Sequence, residues 1–588
     1  MTLASARKRR GMWFIAALLI ATYFSSVLAI APAGAVAPTI LYVNAAVGSP
    51  GNGTSWGVAY ANVQDALTFA TTNSGTQYEI WVAQGDYKPT TTSDRTISFV
   101  FPNNVSAFGG FAGTEAARTD RDPTANVTIL DGDIGTTGSN TDNSYRVVTF
   151  GASVGNANVL DGFTIENGNA NEPINIGNPF AQIADSGAGV YVPSAVAPTL
   201  SNLEIMSNHA DNVGGGIYSN NASPWADHLF VHGNNAPTGG GIGTSGGAPW
   251  FQNTIISGNT GSHGGGLYVG DGNAFRLVNS IISGNRAVTQ SPYSGQGAGV
   301  YFYGSTSAIT PTIINSTITG NYSEGTTGGV SASSFVSPHI DNSIVWNNAD
   351  PNGNTGASEF SHDVFGGSTY ITSSIVQGGC PTGSHMCTNV IDADPMFMTP
   401  VDPTTAPTTN GDFRLGTFSP AIDAGDNSLV PGTITTDILG NPRIFDYPLI
   451  ASAGAVVDMG PYEAMTPQNT ANVSVYAWAI GSPFGHQFSF FRGTFLSLNV
   501  RTGAGGAPLG SLTYSSGLTS VTSRTFTTLI YDNQMLVVVG QARLFNGQMV
   551  TFQFTADLSN QGFGGAVMRL TLSNGYDSGD IHGLILVN

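Results

Sequence analysis

Apolar positions in the middle of the chain recur at a spacing that no closed globular core requires. From Gly187 to Asn348 one template returns six times, approximately P-x-Φ-x-N-S/T-x-I/V-x-G-N with single departures in several copies. The copies are Pro198–Asn208, Pro224–Asn234, Pro249–Asn259, Phe275–Asn285, Pro311–Asn321 and Pro338–Asn348, and their starts lie 26, 25, 26, 36 and 27 residues apart. Offset +2 (Leu200, Ala226, Phe251, Leu277, Ile313, Ile340) and offset +7 (Ile205, Val231, Ile256, Ile282, Ile318, Val345) are apolar and are expected to face a core. Glycine-rich triplets open a short apolar run between copies, as in Gly214-Gly215-Gly216-Ile217-Tyr218 and Gly264-Gly265-Gly266-Leu267-Tyr268. Each unit offers β runs of only three to five residues, whereas helical repeats need roughly ten periodic residues per element. A fixed period with short strands and glycine corners therefore predicts a parallel β-helix solenoid. Offset +4 reads Asn202, His228, Asn253, Asn279, Asn315 and Asn342, which predicts a corner ladder of stacked side-chain amides.

The flanking patterns differ. An amphipathic helix over 62–70, with Val63, Ala66, Leu67 and Ala70 on one face, precedes the strand-like Glu79–Ala83. Residues 36–99 are therefore expected to cap the solenoid and supply its opening strands, since a bare first coil would expose an unpaired edge. The β-helix is placed at 100–400 and a closing segment at 401–466. Beyond 472 the repeat vanishes, longer alternating runs such as Leu536–Phe545 and Val550–Ala556 follow, and Asn546-Gly547 marks a hairpin. This predicts an antiparallel β-sandwich over 472–588, making the whole chain all-β.

Several blocks resemble a known group. Phe108-Gly109-Gly110-Phe111-Ala112-Gly113-Thr114-Glu115 and Ile129-Leu130-Asp131-Gly132-Asp133 near the start, with Ser419-Pro420-Ala421-Ile422-Asp423-Ala424-Gly425-Asp426 and Val457-Asp458-Met459-Gly460-Pro461-Tyr462-Glu463 near the end, are similar to exported bacterial right-handed β-helix proteins of the choice-of-anchor Q type. That type is related in repeat style to polymorphic outer-membrane proteins and shares the pectin-lyase-like fold. The resemblance covers about residues 40–465. It implies architecture and cell-surface placement but no particular reaction, and a small β domain often follows such solenoids.

Composition sharpens the picture of an exported protein. Arg7-Lys8-Arg9-Arg10 precedes an apolar run from Met12 to about Ala31 and small residues at Ala33-Gly34-Ala35, a Sec-type signal with cleavage expected after Ala35. Secretion or display at the cell surface follows, with no transmembrane segment after cleavage. Charged residues make up only 9 %, the net charge is −19, and Lys88 is the sole lysine beyond the leader. Such a surface argues against nucleic acid as a partner. Cys380 and Cys387 bracket a short loop and are expected to form a disulfide in an oxidising compartment. The carboxylates Asp392, Asp394, Asp423, Asp426, Asp437, Asp458 and Glu463 read as turn and cap residues, a calcium site being the alternative and no other cofactor being expected.

Candidate chemistry is sparse. The loops His209–Val213, Asn235–Thr238 and Thr260–His263 are short, between long ones at Asn169–Ser186 and Arg286–Gln296. If all leave one corner, they wall a trough about 15 Å long, at roughly 4.8 Å per strand. His209, Asp211 and His263 would lie on its floor. The outward offset +1 reads Thr199, Trp225, Trp250, Arg276, Thr312 and His339, so Trp225, Trp250 and Arg276 form an aromatic and cationic patch suited to sugar rings, or a cover for the sheet beneath. No two acids repeat at one offset in neighbouring coils, and Asn140-Thr141-Asp142 matches only one block of a polygalacturonase. The expected function is non-catalytic binding of an extracellular polysaccharide or a cell-surface component, with adhesion as the outcome. The alternatives are a polysaccharide lyase or glycoside hydrolase, and a structural component of an envelope or filament.

Overall fold

A computed structural model describes residues 37–172, 184–447 apart from 273, 306–308, 334 and 363–366, then 454–465 and most of 474–587. The expected leader at 1–35 lies outside the described residues. Within them no helix is long and apolar enough to cross a membrane.

Each coil starts with a strand that the template specifies residue by residue. Leu200, Ala226, Phe251, Leu277, Ile313 and Ile340 pair in register along the solenoid and are fully buried, as are Ile205, Val231, Ile256, Ile282, Ile318 and Val345. Between these two inward columns the chain bends at offset +4, where φ is +49° at Asn202, +54° at His228 and +48° at Asn253. Left-handed backbone costs an ordinary residue about 1–2 kcal/mol and suits asparagine best after glycine. Backbone conformation therefore selects these asparagines, and the amide ladder expected there does not form. Asn253 donates to Asp227 (2.8 Å) and Asn342 to the Asp426 carbonyl (2.9 Å), while Asn279 to Asn253 at 3.4 Å is the one link along the column.

The ladder runs instead at offset +10. Asn208, Asn234, Asn259, Asn285, Asn321 and Asn348 are buried, and each Nδ2 donates to the next Oδ1 at 2.8–3.1 Å. It ends on Glu359, which accepts the Asn348 backbone N–H at 2.9 Å and its Nδ2 at 2.6 Å. Past this corner the glycine triplets let successive coils touch: a Cβ on Gly240 would lie 2.1 Å from the Thr260 carbonyl oxygen. They lead into a second, nine-stranded parallel sheet running from Phe99–Phe101 to Phe360–His362. The first, bent sheet has nineteen strands. The helix Val63–Thr72, capped by the Asn62 side chain, buries Val63, Ala66, Leu67 and Ala70 against the first coils and joins the solenoid core.

The coils end at Thr369–Val376 and His385–Ile391, and the Cys380–Cys387 disulfide ties the loop between these strands to the second of them. Residues 397–447 and 454–462 add no terminal coil. They run back as a strap along the outer face of the bent sheet, where Phe397, Val401, Phe413, Ala421 and Met459 cover Ile281, Ile344 and Ile375.

Antiparallel strands fill the C-terminal region as expected, but there are eight of them and they close into one barrel rather than stacking as two sheets. Ser474–Gly481 pairs with both Thr494–Thr502 and Ile581–Val587, which removes the free edges a sandwich would keep. Leu498, Leu512, Tyr514, Phe552, Phe554 and Leu570 fill the interior, while Asn499, Arg501, Ser511 and Thr513 face outward, the reverse of a barrel embedded in lipid. Outside the barrel, Val537 and Val539 pack on Ile422 and Tyr447 of the strap.

Candidate functional site

Three outward faces of the solenoid carry side chains able to recognise a ligand. On the first half of the bent sheet, Thr199, Trp225, Trp250, Arg276, Thr312, His339 and Tyr370 succeed one another in register. Their neighbours Ala226, Phe251 and Leu277 are fully buried, so strict strand alternation turns both indoles outward, where each is partly exposed. The Arg276 guanidinium carbon sits 5.2 Å from the Trp250 ring centroid, and the His339 and Tyr370 rings stack at 4.7 Å. The row therefore offers flat apolar faces at the strand spacing with a cation beside them.

At the corner past the buried amide ladder, His209 holds Asn235 Oδ1 through Nδ1 and Asp211 Oδ1 through Nε2, both at 3.0 Å. His263 lies two coils on, stacked against Tyr301 at 4.6 Å and meeting the edge of Tyr293 at 4.9 Å. Burial pushes its imidazole below the usual range, favouring the neutral ring. Beside this corner the second sheet carries Tyr191, Tyr218, Tyr268 and Tyr301, with Gly243 between Tyr218 and Tyr268 in register and Arg146 at 3.7 Å over Tyr191. These tyrosines follow the glycine triplets in the sequence, and their outward period-two position was the signal for them. Of the two expected walls, Arg286–Gln296 is held by the Arg286–Glu324 pair at 2.8 Å, and residues 173–183 of the other lie outside the described residues.

The two candidate sets do not meet. No hydrogen bond, ion pair or ring contact among the described residues joins His209, Asp211 or His263 to Trp225, Trp250 or Arg276. The left-handed residue and the buried amide ladder both intervene along each coil, so the sets occupy different faces.

A third face was not apparent from the template. On the second half of the bent sheet, Thr164, Glu204 and Phe230 floor a cleft of about 740 Å³, walled by Arg118, Arg121 and Pro123. Glu204 accepts from His232 Nε2 at 3.0 Å, and that bond holds its carboxyl below the usual range despite burial. Glu166, on the neighbouring strand, is pushed upward by burial and by Asp131, Asp86 and Glu204. Arg121 binds Asp161 at 2.7 Å and Arg118 binds Glu79 at 2.7 Å. The readable signal was offset +6, an outward column that turns apolar at Ile255, Ile281 and Ile344 and so must be covered, leaving Glu204 and Phe230 where the cover stops.

Among the described residues no three His, Cys, Asp or Glu side chains converge as a metal-binding group. Asp394, Asp426 and Asp437 accept backbone N–H groups of their own turns, and Asp458 accepts those of Asp423 and Ala464.

Residues 162–349 match a family described as right handed beta helix region, which agrees with the coils seen there. No curated protein and no solved structure matches the chain.

Proposed function

We propose that this chain is an exported, cell-surface or secreted right-handed β-helix protein of the choice-of-anchor Q type that binds extracellular polysaccharide without cleaving it. The observation that supports this reading best is the outward row in which Trp225 stands in direct register with Trp250 and Arg276 lies over the second indole. Sugar rings present C–H faces that stack on indoles, while their hydroxyls accept hydrogen bonds from a guanidinium. The rigid parallel sheet fixes the spacing of these groups, so little ordering cost opposes binding. Retention on immobilised polysaccharides tests the reading. Trp225→Ala combined with Trp250→Ala is expected to weaken the affinity by about 1–3 kcal/mol, with the thermal transition unchanged. Equal retention of native and double variant on every polysaccharide that holds the native protein would refute the row.

A glycoside hydrolase is the second reading, favoured by one observation: Glu166 and Glu204 stand on the same outward face of neighbouring strands, where burial raises the first and the His232 hydrogen bond lowers the second, as for an acid and a base. New reducing ends from a polysaccharide, abolished by Glu204→Gln, would replace the first reading with this one.

A further inference from the structure

The cleft over Glu204 and Phe230 is bounded on purpose-built terms that the rest of its face makes plain. Along the second half of the bent sheet, the outward column reads Thr164, Glu204, Phe230, Ile255, Ile281, Thr317, Ile344 and Ile375. The strap buries the later members of this column, and its Thr408 reaches back as far as Gly258 and Gly284. At the other end the segment from Arg118 to Val127 folds over the early strands, with Arg121 donating to the Gly109 carbonyl at 2.9 Å and to Asp161. Both ends of the face are thus covered, and a window about three strands long stays open between them. Its volume of about 740 Å³ falls in the roughly 300–1,000 Å³ range of sites for small ligands.

The chemistry of the window selects among ligands. Each charged side chain that lines it is already engaged: Arg121 with Asp161, Arg118 with Glu79, and Glu204 as acceptor of the hydrogen bond from His232 Nε2. A ligand bringing net charge would have to break one of these pairs. An anionic ligand would in addition meet the field of Asp131, Asp86 and Glu166, which stand beside the floor on the same outward face and whose mutual repulsion is felt at Glu166. Hydroxyl groups suffer neither penalty, since paired guanidinium and carboxylate groups keep spare donors and lone pairs for them. Phe230 lies with one ring face against His232 at 4.1 Å and is partly exposed, so it can carry the apolar face of a ring.

We propose that this window is a second binding site, for a neutral oligosaccharide of a few sugar rings, separate from the tryptophan row. The site rests on the glycan-binding reading for its class of ligand and on none of the same residues. It gives the solenoid two glycan contacts on faces that turn away from each other at the left-handed corner, as a protein linking two polysaccharide strands would need.

The full-length mature protein is titrated calorimetrically with neutral tetrasaccharides of β-1,4-glucose, α-1,4-glucose and β-1,4-mannose, and with tetragalacturonate as the acidic comparator. Native protein is compared with Phe230→Ala, Glu204→Gln and the Trp225→Ala/Trp250→Ala double variant, each checked for an unchanged melting temperature. At least one neutral tetrasaccharide is expected to bind, to lose roughly tenfold or more in affinity on Phe230→Ala and on Glu204→Gln, and to keep its cleft binding in the tryptophan variant. Tetragalacturonate is expected to bind at least roughly tenfold more weakly. Failure of all three neutral probes, or equal binding by tetragalacturonate, overturns the proposal. Loss confined to the tryptophan variant overturns the cleft while supporting the row, and loss confined to the cleft variants supports the cleft, the row being decided by retention on immobilised polysaccharide.

Discussion

Glu359 shows how much one residue outside the repeat can matter. The amide ladder needs a final acceptor, because Asn348 has an Nδ2 and a backbone N–H pointing past the last coil; a carboxyl group with two oxygens takes both. Burial is complete, and it pushes this carboxyl up to about 8. The folded state therefore holds the proton more tightly than the unfolded chain, where a glutamate titrates near 4.3. Its stabilising contribution is full below that value and is lost as pH rises through about 8. Melting temperature is expected to fall between pH 5 and pH 8.5, and Glu359→Gln, which keeps an acceptor but cannot ionise, should flatten part of that decline. A slope unchanged in the variant would place the titration elsewhere. No template position announces Glu359, which lies on a four-residue helical turn after the last full copy, so the sequence could not point to it.

At the level of the coil, two asparagine columns looked alike in the sequence and do different work. Offset +4 needs left-handed backbone, whereas offset +10 needs a buried amide that donates and accepts at once. Removing Asn259 strips the acceptor from the Asn234 N–H and Nδ2 and the donor from the Val231 and Ser257 carbonyls. Each buried group left unpaired costs about 1–3 kcal/mol, so Asn259→Ala and Asn259→Gly should both lower the urea midpoint strongly. Asn253→Ala should cost about 1–2 kcal/mol for its positive φ, and Asn253→Gly should recover most of that. Rescue by glycine at both positions, or at neither, would contradict this division. The period and the two inward columns were legible because burial recurs at fixed offsets. The role of each asparagine was legible only in part: His228 stands at offset +4, where an imidazole cannot continue an amide ladder, while offset +10 is asparagine in all six copies.

Across the whole molecule, what the sequence hid are contacts between segments far apart in the chain. The closing residues carry no period, so nothing local told that they lie along the solenoid rather than across its end. Barrel closure rests on Val475 pairing with Val587, the first strand with the last. The strap that frames the cleft is itself held by one buried cation. Arg443 is 1 % exposed, its Nη2 donates to the carbonyls of Asp458 (2.9 Å) and Gly460 (2.6 Å), and its Nη1 lies 3.3 Å from Glu463 Oε1. Burial raises both Asp458 and Glu463; Arg443 leads the opposition to that rise at Glu463, and at Asp458 it adds to the stronger opposition of the Ala464 and Asp423 N–H groups. Arg443→Met keeps the length of the side chain and removes the charge, and breaking a buried pair in this way costs about 3–5 kcal/mol. Because the strap only covers the sheet while the coils keep their own core, that loss should release the strap and leave the solenoid folded. Expected are rapid proteolysis between 397 and 462, a gain of dye fluorescence as Ile281, Ile344 and Ile375 become exposed, and a β-rich far-ultraviolet spectrum like that of the native protein. The effect should grow as pH rises from 6 to 9, since without the guanidinium each carboxylate that ionises does so unpaired in an apolar site. A single cooperative transition at lower temperature, with no dye binding before it, would instead mean that strap and solenoid unfold as one unit.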